Sequence, residues 1–186
     1  QNNIAKLEDK KFAISRFGSG SELMAYELAN QQGWKLNDTQ FVVVGGVDGA
    51  VEALPKRNAH IFLWERFVTA PLVEQGVFAR IGEIPTPWPS FYTAARPDLL
   101  DRDRLLIDAV VDIMFGYAAE LVTHPESTID LIVDRYGMSR HDARTWLQGV
   151  EWPSTTMVDT DVLDAVVARM VELGRIEEAI PAIDLV

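Results

Sequence analysis

The chain has 186 residues, 48% of them hydrophobic, which suffices for one domain of ordinary size, or one and a fraction, with a buried core. Seventeen Lys and Arg against 28 Asp and Glu leave a formal charge of −11, which argues against nucleic acid and against anionic membrane surfaces, both of which need clustered cations. No cysteine is present, so disulfides, thiolate metal sites and cysteine nucleophiles are excluded, a pattern that suits a cytoplasmic and an exported bacterial protein equally.

Residues 10 to 95 alternate strand and helix patterns. Predicted strands are Lys11–Ser15, Gln40–Val44, His60–Trp64, Val77–Ile81 and Ser90–Ala94, and predicted helices are Ser21–Gln32, Asp48–Leu54 and Arg66–Gln75. Gly33, Gly45-Gly46 and Gly76 punctuate them. Phe41-Val42-Val43-Val44 and Ile61-Phe62-Leu63-Trp64 are continuous apolar runs, as a sheet covered on both faces requires. The alternation implies a mostly parallel α/β sheet with flanking helices.

Ile84-Pro85-Thr86-Pro87-Trp88-Pro89-Ser90 breaks that rhythm and predicts a stiff, extended connector. Beyond Pro97 the pattern is helical throughout. Arg102–His124 carries an apolar stripe, Glu126–Tyr136 follows Pro125 and closes at Gly137, Ser139–Val150 starts on a Ser cap, and Asp161–Leu173 ends at Gly174. No stretch has the length of a membrane-spanning helix, and Gln1-Asn2-Asn3 carries no signal pattern. The chain starts without Met, and the expectation is that it begins within a longer protein, after processing or truncation.

Ile14-Ser15-Arg16-Phe17-Gly18-Ser19-Gly20-Ser21 runs from a strand into a helix start. It places small residues and backbone N–H groups at a positive helix end, a receiver for a carboxylate, a phosphate or a polar ring edge. The plainer reading is a helix N-cap by Ser19 or Ser21. Gly45-Gly46-Val47-Asp48-Gly49-Ala50 is a second glycine-bearing junction, with Asp48 as a cleft residue or a simple cap. Neither turn has G-x-G-x-x-G spacing or a P-loop lysine, so no dinucleotide or nucleotide fingerprint is present. Trp64-Glu65 ends the third strand, where an aromatic plane beside a carboxylate suits ring stacking and acceptance of N–H hydrogens; core packing and a solvated carboxylate are the alternative. Trp88 in the connector carries the same two readings. His60, His124 and His141 are scattered, and no H-E-x-x-H or G-x-S-x-G motif occurs. The acids Asp101, Asp103, Asp108 and Asp112 read as a solvated helix face. No catalytic residue, metal ligand set or cofactor is therefore expected.

Three segments in order, Ile14–Ser21, Phe62-Leu63-Trp64-Glu65-Arg66-Phe67 and Ile81-Gly82-Glu83-Ile84-Pro85-Thr86-Pro87-Trp88-Pro89, resemble the type II periplasmic-binding-protein fold. They look most like the ABC-transporter substrate-binding proteins for sulfonates, nitrate and thiamine-pyrimidine precursors. The resemblance implies two α/β lobes closing on a small ring-containing or anionic solute. It assigns residues 10–84 and 90–95 to the second lobe, 85–89 to the hinge, and 96–186 to the helical part of a first lobe whose N-terminal portion is missing. It implies ligand contacts from Ser19, Gly20, Ser21, Gly46, Asp48, Trp64, Glu65 and Trp88, recognition by local helix ends rather than net charge, and delivery to an ABC transporter permease. It further implies a periplasmic or membrane-anchored extracellular location, with a cytoplasmic one left open, and an exposed helix face able to form a homodimer. The chain departs from the family in having His60 where many relatives have an acid. Two alternatives remain. One is a thiamine-pyrimidine synthesising enzyme on the same fold, for which the chain offers no cysteine-rich motif and only Lys35 and Lys56 as poor lysine candidates. The other is a cytoplasmic ligand-sensing module, although no DNA-binding segment is visible.

Overall fold

A computed structural model of the chain describes residues 4–89, 91–152 and 155–186. Its sheet has three parallel strands, β1 (Phe12–Ile14), β2 (Phe41–Val43) and β3 (Ile61–Phe62), in the order β2-β1-β3. Phe12 pairs with Phe41 on one side and with Ile61 on the other. The central strand is apolar at every position because both of its faces are covered. Phe12 and Ile14 pack with Ala25, Phe41 and Ile61, while Ala13 points the opposite way onto Ala53 and Ala59. The α/β reading with a parallel sheet therefore holds.

Three helices accompany the sheet: α1 (Gly20–Gln32), α2 (Val47–Ala53) and α3 (Arg66–Glu74). Gly33 closes α1 in the left-handed region at φ +73, its N–H donating to the last-turn carbonyls of Ala29 and Asn30. Two of the five expected strands do not appear among the described residues. At the start of 77–81 the amides of Val77 and Phe78 both donate to the Leu72 carbonyl, wrapping the chain over the end of α3. The other, Ser90–Ala94, begins at a residue outside those described; among the described residues 91–94 pair with no strand, and Phe91 is 91% exposed.

The helical part contains α4 (Pro97–Thr123), α5 (Pro125–Tyr136), α6 (Arg140–Gly149) and α7 (Thr160–Glu172). Pro97 and Pro125 start their helices, where the missing N–H costs nothing. The sequence placed the start of α4 at Arg102; the structure adds a turn before it and interrupts the helix at Asp103 (φ −129, ψ 30). Between α5 and α6, Ile129, Ile132, Ala143 and Leu147 form a small core. Glu126 bridges Arg140 and Arg144, and Asp130 pairs with Arg140. No residue of α4 is buried: Leu106, Val110, Ile113, Met114 and Tyr117 lie on one face and all are exposed.

The chain divides into two compact units, Gln1–Trp88 with Ala165–Pro181, and Pro89–Asp164 with Ala182–Val186. Residues 91–95, expected with the sheet, group with the helices, and 165–181, expected with the helices, group with the sheet. The second assignment has an evident cause in two ion pairs made to α1, Arg169 with Glu27 and Arg175 with Glu22. No described helix is long and apolar enough to cross a membrane.

Candidate functional site

All three strands run the same way, so the loops that follow them emerge at one edge of the sheet. The turn after β1 is central there. From β1 the chain crosses to β2 on one side and then, through α2, to β3 on the other, so the connectivity reverses beside β1. In an open α/β sheet that reversal leaves a crevice outside the carboxyl ends of the flanking strands. Here it lies between the Ser15–Ser21 turn and Leu63-Trp64-Glu65, with Gly45–Asp48 on the far side of β1.

The central turn is held by its own side chains. Ser19 is buried and is the N-cap of α1, its hydroxyl accepting the Glu22 N–H at 3.4 Å. The Ser21 hydroxyl accepts the Ser15 N–H at 3.0 Å and lies 2.9 Å from the Ser19 hydroxyl. Gly18 is left-handed at φ +72, and its N–H donates to a Glu22 carboxylate oxygen at 2.6 Å. Arg16 is exposed and donates to the Phe17 and Gly18 carbonyls. Gly20 is exposed, with nothing within 4 Å of where a Cβ would stand.

Glu22 and Arg175 are the parts of this arrangement that sequence reading passed over. Glu22 is wholly buried, with its second carboxylate oxygen accepting from Arg175 at 2.9 Å. The spacing Ser19-x-x-Glu22 is that of a capping box and was a legible signal; Arg175, 153 positions away, was not. The Arg175 guanidinium also sits 4.7 Å over the Tyr26 ring. Burial pushes the Tyr26 phenol above its ordinary value, against the pull of Arg175. Further along α1, Glu27 accepts both Nε and Nη2 of Arg169, at 3.0 and 2.9 Å.

On the far side, Gly45 is left-handed at φ +77 and Gly46 caps α2 without a side-chain bond. Asp48 is exposed in the first turn of α2. Behind it, a Cβ on Gly49 would stand 1.9 Å from the Val44 carbonyl oxygen, so only glycine lets α2 start this close to β2.

On the near side, Trp64 stacks on Phe62 with centroids 4.9 Å apart and planes 16° from parallel, and remains 39% exposed. Among the described residues Phe62 is the ring stacked on it, and what remains exposed is aromatic surface. The Glu65 carboxylate caps α3, accepting the Val68 N–H at 2.7 Å. Thus Ser19, read as a ligand contact or a plain cap, does serve as a cap, and Glu65, read as a ligand contact or a solvated carboxylate, also caps a helix. Trp88 is half-buried at the end of the sheet unit, and no hydrogen bond or ring contact joins it to the three loops. The loops form an open wall. Two shallow depressions lie elsewhere, one of about 230 Å³ over β2 and α2 and one of about 390 Å³ along α4 and α5. No group of His, Asp and Glu suited to a metal ion occurs among the described residues.

The family described as Ca3427-like PBP, for periplasmic binding protein, matches residues 1–84. Among solved structures, the Candida albicans CA3427 gene product, which defines a family exhibiting the generic periplasmic binding protein structural fold, superposes with a TM-score of 0.80 at 24% identity. The match covers 94% of this chain and 59% of that one, so the chain spans about three-fifths of the length of that relative. No curated protein matches the sequence. The chain thus has a periplasmic-binding-protein fold over the length it shares with that structure.

Proposed function

We propose that the chain binds a small ring-containing or anionic solute at the carboxyl edge of its sheet, as part of a solute-binding protein that serves an ABC importer. One observation carries the reading. The connectivity reverses between β1 and β3, which makes the Ser15–Ser21 turn and the half-exposed Trp64 neighbours across the crevice. Gly20 and Ser21 then line the wall with backbone and hydroxyl, Trp64 offers a ring face, and Gly46 and Asp48 border it from the far side. Trp88 enters as a connector residue that reaches the solute on closure. Ser19, Glu22 and Glu65 act by holding the loops in place.

The wall is half of a site. In this reading the helical unit belongs to a first lobe, the exposed face of α4 packs on the part of that lobe this chain does not carry, and closure of two lobes about the proline segment seals the solute in. Ligand contacts bias an open-to-closed equilibrium, and the protein delivers its solute to a membrane permease from the periplasmic or extracellular side. Proteins of this fold are generally binders, which favours a non-catalytic role. The test is a thermal-shift screen of the protein against pyrimidines, sulfonates, nitrate and amines. A binding solute raises the midpoint with concentration. Because Ser19 and Glu65 also cap helices, the informative variants are Trp64→Ala and Gly20→Ala, both at exposed positions. If a hit binds both variants as it binds the unaltered chain, the wall is elsewhere.

A further inference from the structure

We infer that the amino edge of the sheet, where Lys6, Lys10, Lys11, Lys35, Lys56 and Arg57 gather, is a docking surface for an acidic patch on a partner protein. It lies at the opposite end of the strands from the candidate solute wall and stands whether or not that wall binds a solute. None of the chain's five lysines comes after Lys56. Lys10 and Lys11 lead into β1, Lys35 lies between α1 and β2, and Lys56 and Arg57 lie between α2 and β3. Lys6 is in a short 3-10 helix, Ile4–Leu7, whose last carbonyl accepts the Lys10 N–H. Hydrogen bonds tie these segments together. The Lys11 carbonyl accepts the His60 N–H at 2.8 Å, and the Lys11 N–H donates to His60 Nδ1 at 3.3 Å. The Gln40 side-chain amide donates to the Glu8 and Lys10 carbonyls at 2.7 and 3.3 Å.

Two observations set this edge apart. All six cations are exposed, and among the described residues only Lys56 has a carboxylate within 4.0 Å, that of Glu52 at 3.6 Å. Apart from Arg16 and Arg135, the remaining arginines are all paired with carboxylates. The second observation is Arg57, the one residue other than glycine with a positive φ, +58, among those described. It closes α2 with its N–H on the Leu54 carbonyl and the Asn58 N–H on the Ala53 carbonyl, where glycine or asparagine is the easier choice. A long cation is kept on the surface there at a backbone cost. The segments of this edge hold six cations to four acids, Glu8, Asp9, Asp38 and Glu52, while the rest of the chain has eleven to 24. Those interspersed acids select the class of partner. Each would face a phosphate of a nucleic acid or a lipid surface, whereas a folded protein can set a few cations of its own among many carboxylates. The ring at this edge, Trp34, packs on the core and is not presented for base stacking. Exposed ion pairs are individually weak, so the surface orients and speeds docking more than it tightens it.

The experiment is a titration of the isotopically labelled chain with poly-L-glutamate at low salt, followed through the amides of Lys10, Lys11, Asn58 and His60. These should shift saturably, and the affinity should fall as salt is raised. Lys10→Glu/Lys11→Glu/Arg57→Asn should weaken binding by roughly tenfold without lowering the thermal midpoint, since all three positions are exposed and asparagine tolerates the left-handed backbone. Arg135→Glu, which removes an unpaired cation from α5, should leave the affinity unchanged. Should the triple variant not fold, Lys10→Gln/Lys11→Gln serves and should weaken binding a few-fold. No saturable shift, or an equal loss in Arg135→Glu, overturns the inference. Tighter binding of duplex DNA or of phosphatidylserine vesicles than of poly-L-glutamate gives the face to phosphates and overturns it too. Resonances that move with the concentration of the chain alone would make a second copy the occupant and contradict a separate partner. A response at the Gly20 amide and the Trp64 indole in place of the four amides belongs to the solute wall and likewise contradicts the docking surface.

Discussion

Replacing Gly49 by Ala tests how closely α2 is docked on the sheet. The added Cβ would lie 1.9 Å from the Val44 carbonyl oxygen, 2.8 Å from its carbon and 3.2 Å from the Val44 Cβ, all atoms that cannot rotate away. Ordinary contact begins at 3.4 Å, so the oxygen overlap alone requires α2 to retreat by about 1.5 Å. That retreat uncovers Ala50 and Ala53, which are buried against the sheet. Overpacking of this kind costs about 1–3 kcal/mol, and backbone against backbone belongs at or above the top of the range. Alanine returns about 1 kcal/mol of helix propensity. The expected net loss is about 2–3 kcal/mol, or roughly 4–12 °C in the midpoint for a chain of this size. Circular dichroism melts would read it, with Gly116→Ala as the control, since nothing stands within 4 Å of that Cβ and α4 should gain slightly. A Gly49→Ala midpoint equal to that of the unaltered chain would refute the close docking and, with it, the placement of Gly46 and Asp48.

Other outcomes follow from the ion pairs and the exposed helix. Arg169→Met leaves the Glu27 carboxylate, 9% exposed, without its guanidinium, and should cost about 3 kcal/mol in urea unfolding; Arg169→Met with Glu27→Met should recover most of it. The hydrogen bond from Arg144, with the charge of Arg140, holds the exposed Glu126 carboxyl below the usual 4.5. Its folded-state value is depressed, so the stability it adds to the α5–α6 pair is complete above about pH 4.5 and fades as pH falls through the folded value. Glu126→Gln should flatten that acid limb, and a limb unchanged in the variant would show that Glu126 contributes nothing. The bare face of α4 should drive association at raised concentration, visible by light scattering, and Leu106→Glu with Met114→Glu should return the chain to monomer without lowering its midpoint. A monomer at every concentration, with no dye-binding apolar surface, would argue against a missing partner for that face.

The sheet and most helices were legible because their signals are local. Phe12-Ala13-Ile14 is apolar at consecutive positions, Gly33 and Gly137 stop helices in the left-handed region, and Ser19 and Ser139 cap them. The expected strands Val77–Ile81 and Ser90–Ala94 are not strands among the described residues, because a β-favouring run becomes a strand only where the rest of the fold supplies a ladder. The amides of Val77 and Phe78 found the Leu72 carbonyl instead. At the candidate site, Gly20 and Trp64 are exposed. Ser19 and Glu65 showed that a polar residue before a helix serves the helix first. The two ion pairs to α1 join residues 142 and 153 positions apart, and no periodicity in the sequence announces them.

The most direct test of the solute-binding wall is a titration of small ring solutes followed at the Trp64 indole and the Gly20 amide together. One solute should move both signals saturably with a single dissociation constant, and Trp64→Ala should weaken it by roughly tenfold, as loss of one stacked ring predicts. Signals that respond separately, or an affinity indifferent to Trp64, would contradict a shared site between β1 and β3.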